Sequence, residues 1–248
     1  MAITITNGVV ITPGVQLVAP VYVGNTSSTI SPTLASGVNQ GTSPNGSPFS
    51  TTVNSYYWTA GASVPPYYYV STPGSSGYAF GTGDFTIEWF QYETDTNAFP
   101  RVWWYGTSPS LGVSIENGTF YLWSPGFTSL KTGLSQKNAW RHFAVVRISG
   151  RVYLYYDGTL QNAGGTAFTT NITDTSSTFY IGSKAGAGLA SEQFGGSITS
   201  FRVCNGLGVY TGNFTVPTSP LGQTQSANPY GGANTLAINT ECTLLLNP

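Results

Sequence analysis

Apolar and polar positions alternate along this chain in short runs separated by Gly, Pro and Asn, and no stretch carries the periodicity of a long amphipathic helix. Period-two alternation predicts strands, because successive side chains of an extended backbone point to opposite faces. In Phe85-Thr86-Ile87-Glu88-Trp89 the residues Phe85, Ile87 and Trp89 share one face. The series continues through Val113-Ser114-Ile115, Thr119–Trp123, Arg141–Ile148, Val152–Tyr156, Phe179–Gly182 and Ser197–Val203. Ser149-Gly150 and Asp157-Gly158 read as tight turns within the series. Many short, closely spaced antiparallel strands predict an all-β sandwich or jelly roll.

The N-terminus predicts a smaller unit. Ile3-Thr4-Ile5-Thr6 and Val9-Val10-Ile11-Thr12 flank Asn7-Gly8, a hairpin signal because both turn positions require φ > 0. Pro13-Gly14 suggests a second turn into Val15–Val18. So small a β unit does not bury enough surface to stand alone, so residues 1–24 are expected to be an appendage that mediates assembly or anchoring. Residues 25–55 are rich in Ser, Thr, Gly, Asn and Pro and read as an extended segment wrapping the body. Two aromatic clusters follow, Tyr56-Tyr57-Trp58 and Tyr67-Tyr68-Tyr69.

Charge sharpens this picture. Only 7% of the residues are charged, Lys+Arg 8 against Asp+Glu 9, where a soluble domain carries roughly a quarter. Asp84 is the first charged side chain after the N-terminus, and Glu241 is the only one after Arg202. A net charge of -1 offers no cationic stripe for phosphate, so nucleic acid is not an expected partner. Met1-Ala2-Ile3-Thr4 lacks the basic and apolar regions of a secretory signal. Val9–Val23 is interrupted by Pro13, Gly14, Gln16 and Pro20, so membrane insertion is not expected either. Cys204 and Cys242 are too few for a disulfide framework or a zinc site. They are read as two buried free thiols or as one bridge.

Candidate chemistry is sparse. Glu93-Thr94-Asp95 is the acidic pair with alternate spacing on one strand, which a retaining glycosidase would use. Asn97, Ala98 and Phe99 stand where a third carboxylate is wanted, so a solvated strand end is the preferred reading. His142, the single histidine, reads as structural, because a triad would need a hydroxyl nucleophile and an orienting carboxylate within reach. No Gly-x-Ser-x-Gly elbow is present. Asp84 and Asp157 sit at turns and read as scaffold. The sequons at Asn25, Asn45, Asn117, Asn171 and Asn213 arise readily in this composition. The aromatic triplet Trp103-Trp104-Tyr105 sends rings to both faces of a strand, and Tyr156 faces away from Tyr155. Exposed rings stack on sugar faces, so Trp103, Trp104, Tyr105 and Tyr156 are the candidate carbohydrate contacts. The competing reading is that a sandwich core also needs large rings.

The order of segments resembles a known family. Phe80-Gly81-Thr82-Gly83-Asp84-Phe85-Thr86-Ile87-Glu88-Trp89 looks like the opening strand of the laminin-G-like, concanavalin A-like lectin jelly-roll domains. Trp140–Arg147, Val152–Gly158 and Phe194–Val203 are similar to that family in the same order. Gly206-Leu207-Gly208-Val209-Tyr210 with Phe214, Pro217 and Pro220, and the closing Thr243-Leu244-Leu245-Leu246, resemble the tail of such domains in structural proteins of bacteriophages and large aquatic viruses. The resemblance covers about residues 30–248. Many relatives bind calcium, which makes Asp95, Asp174 and Glu192 candidate ligands here. This chain departs from the family at Thr199-Ser200, where an acidic residue is common.

The resemblance implies an antiparallel β-sandwich jelly roll over residues 25–248, with the β appendage at residues 1–24. It implies a non-enzymatic virion structural protein, a capsid accessory or fibre component at the particle surface. Expected partners are further copies of itself (a trimer by family analogy), other virion proteins and host-surface glycans. No cofactor is expected other than calcium. The rivals are a purely architectural protein and a glycan hydrolase of the same fold.

Overall fold

Alternation becomes strand throughout the structure, a computed structural model describing residues 3–5, 9–11, 32–35, 38–58, 69–94, 98–106, 110–184 and 190–248. In chain order the first strands are β1 (Ile3–Ile5), β2 (Val9–Ile11), β3 (Thr33–Leu34), β4 (Val38–Thr42), β5 (Asn54–Trp58) and β6 (Val70–Thr72). The central ones are β7 (Phe85–Glu93), β8 (Arg101–Tyr105), β9 (Leu111–Glu116), β10 (Thr119–Trp123), β11 (Phe127–Lys131) and β12 (Trp140–Ile148). The series closes with β13 (Arg151–Tyr156), β14 (Thr159–Leu160), β15 (Thr166–Ala167), β16 (Phe179–Ile181), β17 (Gly196–Asn205) and β18 (Cys242–Leu246). Two 3-10 turns, Ser76–Tyr78 and Ala190–Glu192, are the helical elements among the described residues.

The strands form two antiparallel sheets that pack as a jelly-roll sandwich. One has the order β11-β10-β9-β8-β16-β6-β3 and the other β14-β13-β12-β7-β17-β5-β4, with β15 on β13 and β18 on β17. Inward residues build a largely aromatic core: Phe85, Ile87 and Trp89 from β7 meet Trp103, Phe120, Phe143, Phe179 and Phe201. Trp89 stacks on Phe143 with centroids 5.6 Å apart and meets Trp103 edge-on at 6.1 Å. Such pairs add about 0.5–1.5 kcal/mol each beyond area burial.

Residues 25–55, expected to wrap the body, contribute edge strands to both sheets instead: β3 pairs with β6, and β4 with β5. Strand pairing satisfies backbone donors and acceptors that a polar wrapping segment would leave to water. In the N-terminal unit β1 and β2 pair antiparallel, Thr4 opposite Val10. The strand expected at Val15–Val18, and Tyr67 and Tyr68, lie outside the described residues.

The chain after β17 folds back over the outer face of the nine-stranded sheet. Val209, Tyr210, Phe214, Leu221 and Ile238 bury Ala144, Val146, Tyr155, Cys204, Cys242 and Leu245 in a second apolar cluster. Both cysteines are free and buried. Beneath this cover lies an ion pair. Glu88 takes the Arg202 guanidinium at 2.9 and 2.6 Å through Oε1, and the Tyr210 hydroxyl at 2.6 Å and the His142 ring at 3.2 Å through Oε2. Burial pushes the Glu88 carboxyl up, but Arg202, His142 and Tyr210 outweigh it and hold it at about 2.

Candidate functional site

The seven-stranded sheet turns its other face away from the core, and its side chains align across the strands. Pairing sets Phe127 opposite Trp123, Trp123 opposite Gly112, Gly112 opposite Trp104, and Trp104 opposite Tyr180. One row perpendicular to the strands therefore runs Phe127, Trp123, Gly112, Trp104, Tyr180, from β11 to β16. Strands lie about 4.8 Å apart, so the row extends roughly 19 Å.

Gly112 makes the row continuous. A Cβ there would lie 2.6 Å from Trp104 Cε3, so the bare backbone lets the Trp104 ring lie across β9. The Trp104 and Trp123 centroids come within 5.6 Å. Phe127, 63% exposed, meets Trp123 at 4.9 Å and Tyr121 edge-on at 5.5 Å. Trp123 and Tyr121 are half-buried, whereas Trp104 lies buried beneath them. The accessible parts of the row are thus its β10–β11 end and, half-buried at the other end, Tyr180.

Arg101, in the neighbouring row opposite Ser114, sits against both indoles. Its guanidinium carbon is 4.7 Å from the Trp123 ring centroid and 5.4 Å from that of Trp104, within cation–π range. Glu116 accepts from Arg101 and from the Ser114 hydroxyl, which itself accepts the Trp123 indole N–H at 2.8 Å. Glu192 accepts from Arg101 at 3.0 Å and Lys184 at 2.8 Å. Two cations thus meet two carboxylates, and these four charges cancel. The Arg101 Nε–H and Trp104 Nε1–H are buried without an acceptor among the described residues.

The sequence-predicted contacts do not come together. Trp104 lies in the row, but Trp103 and Tyr105, its neighbours on β8, face the core and are fully buried, so neither ring offers a face to a sugar. This corrects the expectation for both, and the cause is the alternation of β8 itself. The Tyr105 hydroxyl donates to the Asp174 carbonyl, and burial raises its pKa. Tyr156 belongs to the other sheet, half-buried against Phe143, with its hydroxyl on the Ser135 carbonyl and Arg141 5.6 Å from its ring. Arg101, Trp123, Phe127 and Tyr180 escaped sequence reading. The alternation Tyr121-Leu122-Trp123 carries a signal for β10, but the pairing across Gly112 is not local information.

The candidate calcium ligands are equally separated by their contacts. Asp174 closes a turn, its Oδ1 accepting the Ser176 and Ser177 amides at 2.9 and 3.0 Å and its Oδ2 the Ser110 hydroxyl at 3.3 Å. Burial raises its carboxyl, and the donors together, Ser177 foremost, outweigh it and bring it down to about 2. Glu192 already holds two cations. Neither fits a hard cation that asks for six to eight oxygens, and the described residues contain no cluster of three metal-ligating side chains. Asp95 lies outside the described residues, and its neighbour Glu93 is buried with Lys137 3.6 Å away. His142 is 1% exposed and bonded to Glu88, as a structural histidine would be.

Comparison with known proteins agrees with this architecture. A sequence family described as the concanavalin A-like lectin/glucanases superfamily matches residues 65–207. No curated protein matches the chain. Among solved structures, domain 4 of the arabinanase AbnA from Geobacillus stearothermophilus, in complex with arabinotriose, aligns with TM-score 0.51 at 14% identity, over 71% of this chain and 82% of that one. A heptameric SAP-like pentraxin from Limulus polyphemus aligns with TM-score 0.48 at 16% identity, over 60% and 75%. Trypanosoma rangeli sialidase aligns with TM-score 0.43 at 17% identity, over 68% of this chain and 30% of that one. The matched segment runs from the approach to β6 through the end of β17 and includes most of the sandwich, so the chain belongs to the concanavalin A-like lectin/glucanase superfamily.

Proposed function

We propose that the protein is a non-enzymatic structural component of a virus particle whose jelly roll binds neutral glycans through the outer face of the seven-stranded sheet. The cross-strand row ending in Trp123 and Phe127 carries this reading, because rings aligned across adjacent strands, tilted 44° to 50° to one another, offer stacking surfaces to successive sugars. The cancelled charge of Arg101, Lys184, Glu116 and Glu192 favours neutral sugars over sialylated or uronate ones, which would find these two cations already paired. The likeness in fold to an arabinanase domain captured with arabinotriose points to the same ligand class. The particle role rests on the tail segment Gly206–Tyr210 with Phe214, Pro217 and Pro220, and on the closing Thr243–Leu246, which resemble those of virion proteins, with residues 1–24 mediating self-association and contact with other virion proteins. Weak single-site affinity would be multiplied by repetition on the particle.

Array binding of the purified protein to neutral and acidic glycans, with and without calcium, tests this. Binding to neutral oligosaccharides is expected, unaffected by chelator and lost in Trp123→Ala with Phe127→Ala. No binding across diverse algal, bacterial and animal glycans would leave the architectural reading. Release of free sugar from a bound polysaccharide would overturn the non-enzymatic one.

A further inference from the structure

The second observation concerns the opposite sheet and does not depend on glycan binding. Strands β17 and β18 pair antiparallel, and a bulge at Thr243 leaves Cys204 as the partner of Cys242. Partners in antiparallel strands have Cα atoms about 5 Å apart in a regular ladder, and the ~4.4–6.8 Å window of a disulfide leaves room for the displacement of a bulge. Both thiols lie in the outer apolar cluster beside Val209, Tyr210 and Leu221. The two side chains interact, and the Cys242 thiol donates to the Leu244 carbonyl at 3.5 Å.

The two sulfurs are not equivalent. Its hydrogen bond to Cys242, and then burial, push the Cys204 thiol well above the ordinary range. The same hydrogen bond holds Cys242 below that range against its own burial, with help from the Arg202 guanidinium. Cys242 is also the less buried, 4% exposed against 0%, and stands at the start of the last strand.

We propose that Cys204 and Cys242 close into an intramolecular disulfide by exchange with a small-molecule disulfide such as oxidised glutathione, with Cys242 as the attacking thiol. The Cys242 thiolate attacks one sulfur of the oxidant, forming a mixed disulfide and expelling one thiolate, which takes up a proton. Cys204 then loses its proton and attacks Cys242 Sγ, expelling the second thiol of the oxidant. Two protein thiols become one disulfide, and one small-molecule disulfide becomes two thiols. The bond encloses residues 205–241, which carry Val209, Tyr210, Phe214, Leu221 and Ile238, so it clasps the cover of the Glu88–Arg202 pair.

Folded protein equilibrated in glutathione buffers from reducing to oxidising, quenched in acid, and alkylated in denaturant gives the thiol count by mass. The expected titre falls from two to none as the buffer becomes oxidising, with one intrachain bridge and no dimer. The oxidised form should melt higher, by about 5 °C or more. In Cys204→Ser a glutathione adduct should accumulate on Cys242, whereas Cys242→Ser should leave Cys204 unmodified. Two thiols retained by the folded protein in fully oxidising buffer would overturn the proposal, as would bridging between chains. Adduct formation on Cys204 but not Cys242 would overturn the order of attack.

Discussion

At the scale of a residue, the outer aromatic row depends on an atom that is missing. Gly112 lies between two indoles, and any side chain there displaces Trp104, whose ring sits where the Cβ would be. Gly112→Val should therefore destabilise the fold by about 1–3 kcal/mol through overpacking. The same change should separate Trp104 from Trp123 and unseat Arg101 from between them. Urea unfolding measures the first effect, and glycan affinity measured by calorimetry the second. An unchanged affinity in a folded Gly112→Val protein would remove the row from the binding surface. Gly112 is an ordinary strand glycine in the sequence, and its meaning appears only once β8 and β10 are known to flank it. The same holds for Arg101, which reads as one of few cations and turns out to be held by Glu116, Glu192 and two indoles.

At the scale of elements, the long central strands were the most legible part of the chain. β7 and β13 carry period-two alternation, β12 and β17 carry apolar runs, and the predicted segments fall within all four. Less legible were β3, β4 and β6, whose Ser, Thr, Gly and Asn content reads as loop and whose strand character comes from the neighbour they pair with. The alternation of β7 also hid its most consequential polar residue. Glu88 occupies the face opposite Phe85, Ile87 and Trp89, yet the segment after β17 covers it. Glu88 ties β7 to Arg202 on β17, to His142 on β12 and to Tyr210 in the cover. Glu88→Gln leaves Arg202 buried without a counter-charge and should cost about 3–5 kcal/mol. The pH dependence follows in sign: the folded carboxyl at about 2 lies below its ordinary value of 4.5, so ionisation favours the fold. The contribution is complete above about pH 4.5 and is lost as pH falls toward 2. Denaturant midpoints measured across this window should decline in the wild type and change much less in Glu88→Gln.

At the scale of the whole molecule, the charges concentrated between Asp84 and Arg202 turn out to be internal fasteners more than a solvating surface. Arg147 donates to the carbonyls of Phe80, Gly81, Gly83 and Thr170, Arg151 to those of Gly164 and Gly165, and Arg141 pairs with Asp157. The two faces of the sandwich are consequently unlike each other, one covered by the C-terminal segment and one left open with its aromatic row. β18 holds both sides together: Leu244 and Leu246 fill the inner core, while Cys242 and Leu245 fill the outer cluster. Each buried Leu is worth about 2–5 kcal/mol against a total stability of about 5–15 kcal/mol. A chain ending at Asn239 should therefore fail to fold, eluting as aggregate on gel filtration and lacking near-ultraviolet dichroism. This strand also sets a timetable. Its partner β17 and both apolar clusters wait for residues 242–246, so until those residues have been made the chain holds finished hairpins but no closed sandwich. Until then the aromatic strands depend on chaperones or dilution to stay apart.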